Sequence, residues 1–274
     1  MHRRIKLTFS FSISTISIIF MFINDDFWQK INIFKINNNY TYWNGIINKI
    51  ILFMLVIFVW GIIFFVIGNA RFIFTIRDKN YSIQIRYCNI LKIKKGIHVI
   101  NFDECFTTKI GSASGDVRES SICGQYLKEH KDLDITTTLK KINIKPEIRK
   151  SKYLKQKCYK PGTIVPYNGD LLMAFVKLDS NGLAKFDTIE DYKNCLSFLW
   201  HQIYIYHGDS SVCVPILGSG KTEVQGKNLS SQEILDIMIY SYKTSDYRLK
   251  APYKLYICCK RKKDLSLWKI GEAL

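Results

Sequence analysis

No C-x-x-C pair and no Cys/His cluster at zinc spacing occurs among the eight cysteines and five histidines of the 274-residue chain, which argues against a zinc-ribbon or zinc-finger site. The cysteines at 88, 105, 123, 158, 195, 213, 258 and 259 fall mostly inside strand-like or helical patterns, where a free thiol acts as a small core hydrophobe in a reducing compartment. A complete Walker A loop is also missing. Counting back from Gly220-Lys221-Thr222 puts Pro215 where the first Gly should stand, and Gly226 and polar residues intervene before helical periodicity resumes at Leu229, so a phosphate loop running straight into a helix is not present. No paired-carboxylate centre stands out for glycosidic or acyl hydrolysis. His98, His201 and His207 lie at spacings that make neither a metal site nor an acid/base pair.

Acidic residues are scarce: 23 against 40 Lys and Arg, a formal charge of +17. The basic clusters, Arg3 to Lys6, Lys92 to Lys95, Lys140 to Lys160 and Lys260 to Lys263, are scattered and not gathered into a recognition helix, so nucleic acid is not expected as a partner. Anionic lipid headgroups or an anionic ligand suit the same field.

Charge is absent from two long stretches. Residues 7–23, LTFSFSISTISIIFMFI, extend through Ile5 to a span of about 5–23, and IILFMLVIFVWGIIFFVI at 50–67 anchors a second span of about 46–68. Each is long enough to cross a bilayer. A cleaved signal peptide is the competing reading of the first stretch, but 20–28 is bulky and acidic and offers no small-x-small cleavage site. Arg3, Arg4 and Lys6 before the first span and Arg71, Arg77 and Lys79 after the second imply a hairpin with both ends cytoplasmic and the 24–45 connection outside. Ser10, Ser14 and Ser17 share one helical face that permits close helix contact, or else bond to their own backbone. Residues 1–70 are thus read as a transmembrane hairpin and 71–274 as a cytoplasmic domain.

In that domain RFIFTIRDKNYSIQIRYCNILKI reads as strand material broken at Asp78-Lys79-Asn80, GIHVINFDECF as a strand, GTIVPY and LLMAFVKLD as two more, and VCVPIL as a central covered strand. TIEDYKNCLSFLWHQIYIY carries one apolar helical stripe, Ser230 and Glu233 form a capping box opening SQEILDIMIYSY, and YKLYICC returns as a strand. The alternation specifies an α/β layer fold whose ligands bind beyond strand C-termini, at the loops after Ile100 and Leu217.

The pieces CNIL at 88–91, HVINFDECFTT followed by SSICGQYL, LLMAFVKLDSNGLA, and VCVPILGSG with LSSQEILDIMI behind it together resemble a macro domain, of the divergent kind found behind two transmembrane helices in effectors of the Thoeris antiphage defence system. The resemblance implies a macro-like three-layer α/β domain with a mixed central sheet. It also implies a signal ligand derived from ADP-ribose, made by a TIR-domain partner protein; no cofactor is expected, and the Cys and His spacing predicts no metal. The sequence departs from the family pattern: Asn89 stands where an Asp commonly receives the adenine amino group, Asp103 where an Asn is usual, Thr107 where an Asp is common and Cys123 where a His is common. The Asn89 amide oxygen still accepts that hydrogen bond, without charge assistance.

The candidate ligand-binding set is Asn89, Ile90, Asp103, Phe106, Thr107, Ser121, Cys123, Gly124, Leu217, Gly218, Ser219, Gly220 and Lys221. Gly218-Ser219-Gly220 exposes backbone N–H groups to a diphosphate or ribose, or is an ordinary turn after a buried strand. Lys221 screens a diphosphate or faces water. Phe106 meets a ribose or base, or is plain core. Ser121, Cys123 and Gly124 approach the same ligand or begin a packed helix, and Cys123 lacks a base partner for thiolate catalysis. Three functions follow. The first is a non-catalytic effector at the bacterial inner membrane that senses the signal and, by homo-oligomerising among membrane lipids, disrupts or permeabilises the host membrane. The second is a membrane-tethered ADP-ribosyl or nucleotide hydrolase, promoted by turnover. The third is a structural adaptor, favoured if side chains fill the cleft.

Overall fold

A computed structural model of the chain describes residues 2–30, 41–70, 73–220 and 222–270. The chain divides into two units, Met1–Arg71 and Phe72–Leu274. In the first, α1 (His2–Phe22) and α3 (Thr41–Ala70) flank a short α2 (Asp25–Lys30). Both long helices contain windows apolar enough to cross a bilayer, Ile5–Phe22 with mean hydropathy 1.7 and Gly45–Val66 with 2.8. Their apolar side chains stand mostly exposed, Met21 by 82% and Phe58 by 68%, unlike those of a core helix, and by length and composition both helices could cross a membrane.

The two long helices meet through Phe11, whose ring lies 5.1 Å from Trp60 and 5.5 Å from Phe64, and through a hydrogen bond from Trp60 Nε1 to Thr15 Oγ1 at 3.1 Å. Ser12 and Ile16 are buried in this contact face, whereas Ser10, Ser14 and Ser17 are exposed. The serine face is therefore not the contact within the hairpin, and the Ser14 hydroxyl donates to its own backbone at Ser10 O, 3.0 Å. Residues 31–40 of the connection expected outside the membrane lie outside the described residues.

The second unit begins with β1 (Ile73–Arg77) and β2 (Ser82–Tyr87), antiparallel across the expected break at 78–80. CNILKI does not continue the strand. The Asn89 side chain accepts the Leu91 N–H at 3.1 Å and turns the chain into one 3₁₀ turn, Ile90–Lys92, a local bond that competes with the sheet ladder. Next come β3 (Ile97–Asp103), α4 (Ile122–Glu129), α5 (Ile135–Lys141), β4 (Ile164–Tyr167), β5 (Asp170–Leu178), β6 (Ala184–Phe186), α6 (Ile189–Tyr206), β7 (Val212–Pro215), β8 (Glu223–Val224), α7 (Ser231–Thr244) and β9 (Leu255–Cys259). Among the described residues the strands form one mixed sheet in the order β1-β2-β9-β7-β3-β5-β6-β8, with β4 beside β5. β2, β9, β7, β3 and β5 run parallel; β1 pairs antiparallel with β2 and β4 with β5, and β6 pairs antiparallel with β5 and parallel with β8.

Alternation along the inner strands divides the core into two. Val99, Leu171, Met173 and Phe175 point to the face covered by α6 and α7, while Ile100, Phe102, Leu172 and Ala174 point to the face covered by α4 and α5, the period-two consequence of a pleated strand buried on both sides. The result is the expected three-layer α/β arrangement. Both long helices of this unit open on capping boxes, Thr188 with Asp191 and Ser230 with Glu233, which satisfy otherwise orphaned N–H groups at the first turn.

Candidate functional site

The parallel strands finish at one end of the sheet, and the C-terminal ends of β3, β5, β7 and β9 enclose a cavity of about 510 Å³. Its walls include Asp103, the 113–118 loop, Ser121 and Cys123 at the start of α4, Phe175 and Val176, and Gly218, Ser219 and Gly220 after β7. Arg118, Lys260 and Lys262 supply cations on its lining. The volume falls in the range of small-molecule and cofactor pockets, and the position beyond strand C-termini is the one such sheets use for ligands.

The loop after β7 is pinned at its base. Leu217 is fully buried, its carbonyl accepts the Tyr192 hydroxyl at 2.9 Å and its N–H reaches Met238 Sδ at 3.4 Å. Gly218 has φ +91, a left-handed conformation that favours glycine. Ser219 Oγ donates to Ile216 O at 3.1 Å, and Lys262 Nζ donates to the Ser219 carbonyl, so the basic segment after β9 is tied to this turn. Gly220 is exposed, and a Cβ built there meets nothing within 4 Å. The need for glycine on backbone grounds therefore sits at Gly218 and not at Gly220. Lys221 lies outside the described residues.

Asp103 closes β3. Its Oδ1 accepts the N–H groups of Cys105 at 2.9 Å and Thr107 at 3.0 Å, shaping the turn that follows. Burial raises its carboxyl above the ordinary value, opposed by those hydrogen bonds. Across the cavity wall, Ser121 caps α4: its Oγ accepts the Gly124 N–H at 2.9 Å and donates to Arg118 O at 2.6 Å. Gly124 is a packing glycine, since a Cβ there would stand 2.2 Å from Arg118 O. Cys123 lines the cavity but is nearly buried, and burial, with the Asp103 charge nearby, pushes its thiol well above the ordinary value. It stays protonated at neutral pH and is a poor nucleophile.

The remaining candidates do not line this cavity. Phe106 is 4% exposed and sits in the core with ring contacts to Phe102 and Tyr159 at 5.9 and 5.5 Å. Thr107 contributes its N–H to Asp103, Ile90 is buried beside Cys213 and Cys258, and Asn89 spends its amide oxygen on the 3₁₀ turn. His98 bridges Asp170 Oδ1 at 2.8 Å and Ile93 O at 2.9 Å, at the start of β3 and away from the cavity end. Sequence reasoning missed Arg118, Lys260 and Lys262; the basic run directly behind an apolar strand, at 260–263, is the signal that points to the last two. Among the described residues no His, Cys, Asp and Glu cluster is arranged to hold a metal ion.

The sequence model of a family described as "Thoeris protein ThsA, Macro domain" matches residues 83–260. The curated Thoeris protein ThsA of Bacillus amyloliquefaciens (strain Y2) is 25% identical over 209 residues, covering 72% of this chain and 69% of that protein. Among solved structures, a mutant of the Oceanobacillus iheyensis macrodomain aligns with TM-score 0.43 and 11% identity over 70% of this chain and 91% of its own, and the same macrodomain with ADP aligns with TM-score 0.40 and 10% identity over 70% and 90%.

Proposed function

Because the chain belongs to the Thoeris ThsA macro-domain family, we propose that it is a membrane-anchored antiphage defence effector whose cavity takes a signal nucleotide derived from ADP-ribose. The observation that carries this reading is the cavity itself: about 510 Å³ at the ends of parallel strands, with the Gly218 to Gly220 turn on one wall and Arg118, Lys260 and Lys262 on its lining. Backbone N–H groups of such a turn and flanking cations suit a diphosphate, and the Asp103 carboxyl offers an acceptor to ribose hydroxyls or an adenine amino group. Burial keeps the Cys123 thiol protonated, which argues against a thiolate nucleophile in the cavity. A TIR-domain protein is the partner that makes the signal.

The two apolar helices form a multi-pass anchor in the bacterial inner membrane with both termini cytoplasmic. Two helices cannot enclose a polar path, so any permeabilisation needs several hairpins to assemble among lipids. The signal must bind the assembled state more tightly than the resting one, because equal affinity shifts nothing.

Calorimetry on the full chain in nanodiscs tests the site. ADP-ribose should bind, Lys260→Ala with Lys262→Ala should weaken it by roughly tenfold or more through loss of charge-assisted contacts, and ATP should bind weakly without turnover. Unchanged ADP-ribose affinity in the double variant, or tight ATP binding with hydrolysis, would overturn the assignment.

A further inference from the structure

Between Lys140 and Lys160 the chain carries nine Lys or Arg against one acidic residue, Glu147. From 147 onward this stretch folds back on itself: the Glu147 N–H donates to Cys158 O at 2.8 Å, the Ser151 N–H to Gln156 O at 2.9 Å, and Lys150 bridges antiparallel to Lys157. Its base is fixed to the end of β3. The Tyr159 N–H donates to Glu104 O at 2.8 Å, and Arg149 Nη2 stands 2.8 Å from the fully buried Glu104 carboxylate while its Nε meets Glu147 at 2.6 Å. The one carboxylate and the one arginine of the strap are thus used for anchoring. Lys145, Lys150, Lys152, Lys155 and Lys157 are exposed, and beside them Ile148 presents its whole side chain, 108% exposed.

An ordered loop of lysines around an exposed aliphatic residue is the chemistry of a peripheral contact with anionic lipid: the ammonium groups meet headgroup phosphates and the aliphatic side chain enters the acyl boundary. A single-stranded nucleic acid would instead require exposed aromatic rings for base stacking. The strap's rings are turned to other uses: Tyr159 is 8% exposed against Phe106, and Tyr153 packs over Gly115 and Gly182. The fold puts the strap at the end of the sheet where the parallel strands finish. We propose that residues 145–157 dock on anionic phospholipid headgroups.

The test is lysine footprinting with an acetylating N-hydroxysuccinimide ester and mass spectrometry, on the full chain in nanodiscs of phosphatidylcholine alone or with phosphatidylglycerol. Lys145, Lys150, Lys152, Lys155 and Lys157 should react at least about threefold more slowly with phosphatidylglycerol at low salt, and the difference should close near 1 M salt, where the Debye length falls to about 3 Å. In the variant Lys150→Glu, Lys152→Glu, Lys155→Glu, whose sites are exposed and whose melting should match the parent, Lys145 and Lys157 should lose that protection. Equal rates in both nanodiscs, or protection that survives the triple variant, overturns the proposal. Protection by added RNA in neutral nanodiscs without any effect of phosphatidylglycerol overturns it in favour of nucleic acid.

Discussion

Replacing Arg149 by methionine keeps most of the side-chain length and removes the charge that faces Glu104. The carboxylate is 0% exposed, and among the described residues the hydrogen bond it accepts is from the Leu178 N–H at a long 3.3 Å. The Arg149 to Glu104 approach of 2.8 Å misses the angle of a hydrogen bond, so what is lost is mainly attraction between charges. Stranding a buried charge by removing its partner costs about 3–5 kcal/mol. Arg149 is 37% exposed and also faces Glu147, which screens the pair, so the lower end, about 3 kcal/mol, applies. For a domain of this size each kcal/mol lowers the thermal midpoint by about 2–4 °C, so the midpoint should fall by about 6–12 °C. Adding Glu104→Gln should recover much of it, because the amide is uncharged and still accepts the Leu178 N–H. Near-UV circular dichroism of the detergent-solubilised chain reads all three melts. A loss below about 1 kcal/mol, with no recovery in the double variant, would refute the claim that this pair anchors the segment after Glu104.

Gly218→Val should weaken ADP-ribose binding and lower stability by about 1–2 kcal/mol, because valine resists the left-handed backbone there, whereas Gly220→Val should melt like the parent; calorimetry and thermal melts separate the two, and equal destabilisation would reject the backbone argument. A cysteine in place of Asn37 should react with impermeant thiol reagents from outside intact cells while residues 80–90 are protected, and the reverse pattern would overturn the topology. Leucines at Ser10, Ser14 and Ser17, which face away from the contact within the hairpin, should leave insertion and ligand binding intact and abolish toxicity if hairpins meet through that face; full toxicity excludes it.

The long elements were legible because their patterns repeat over enough residues. The stripe from Tyr192 to Ile203 is the buried face of α6, and the Ser230 capping box opens α7 where its spacing predicts. The short elements were not. α5 carries three consecutive threonines, whose branching lowers helix propensity, and only its Asp134 cap marks it; β6 and β8 span three and two residues, too few to show alternation. For the site, the turn after β7 could be read from Gly218-Ser219-Gly220, because glycines at a buried strand's end free the backbone for left-handed turn conformations. Lys260 and Lys262 reach the same cavity only through the parallel pairing of β7 with β9, a contact between distant segments that no local pattern encodes. Phe106 illustrates the converse: an aromatic beside a polar turn reads equally as ligand contact or core, and packing against Tyr159 decides for core.

The most direct test of the central claim is a structure determined with ADP-ribose bound. The account predicts the nucleotide in the cavity at the ends of β3, β5, β7 and β9, its diphosphate within hydrogen-bond reach of the backbone at Gly218 to Gly220 and its charge facing Lys260 and Lys262. Density for the nucleotide elsewhere on the molecule, or a cavity that closes on its own side chains when ADP-ribose is present at saturating concentration, would contradict it.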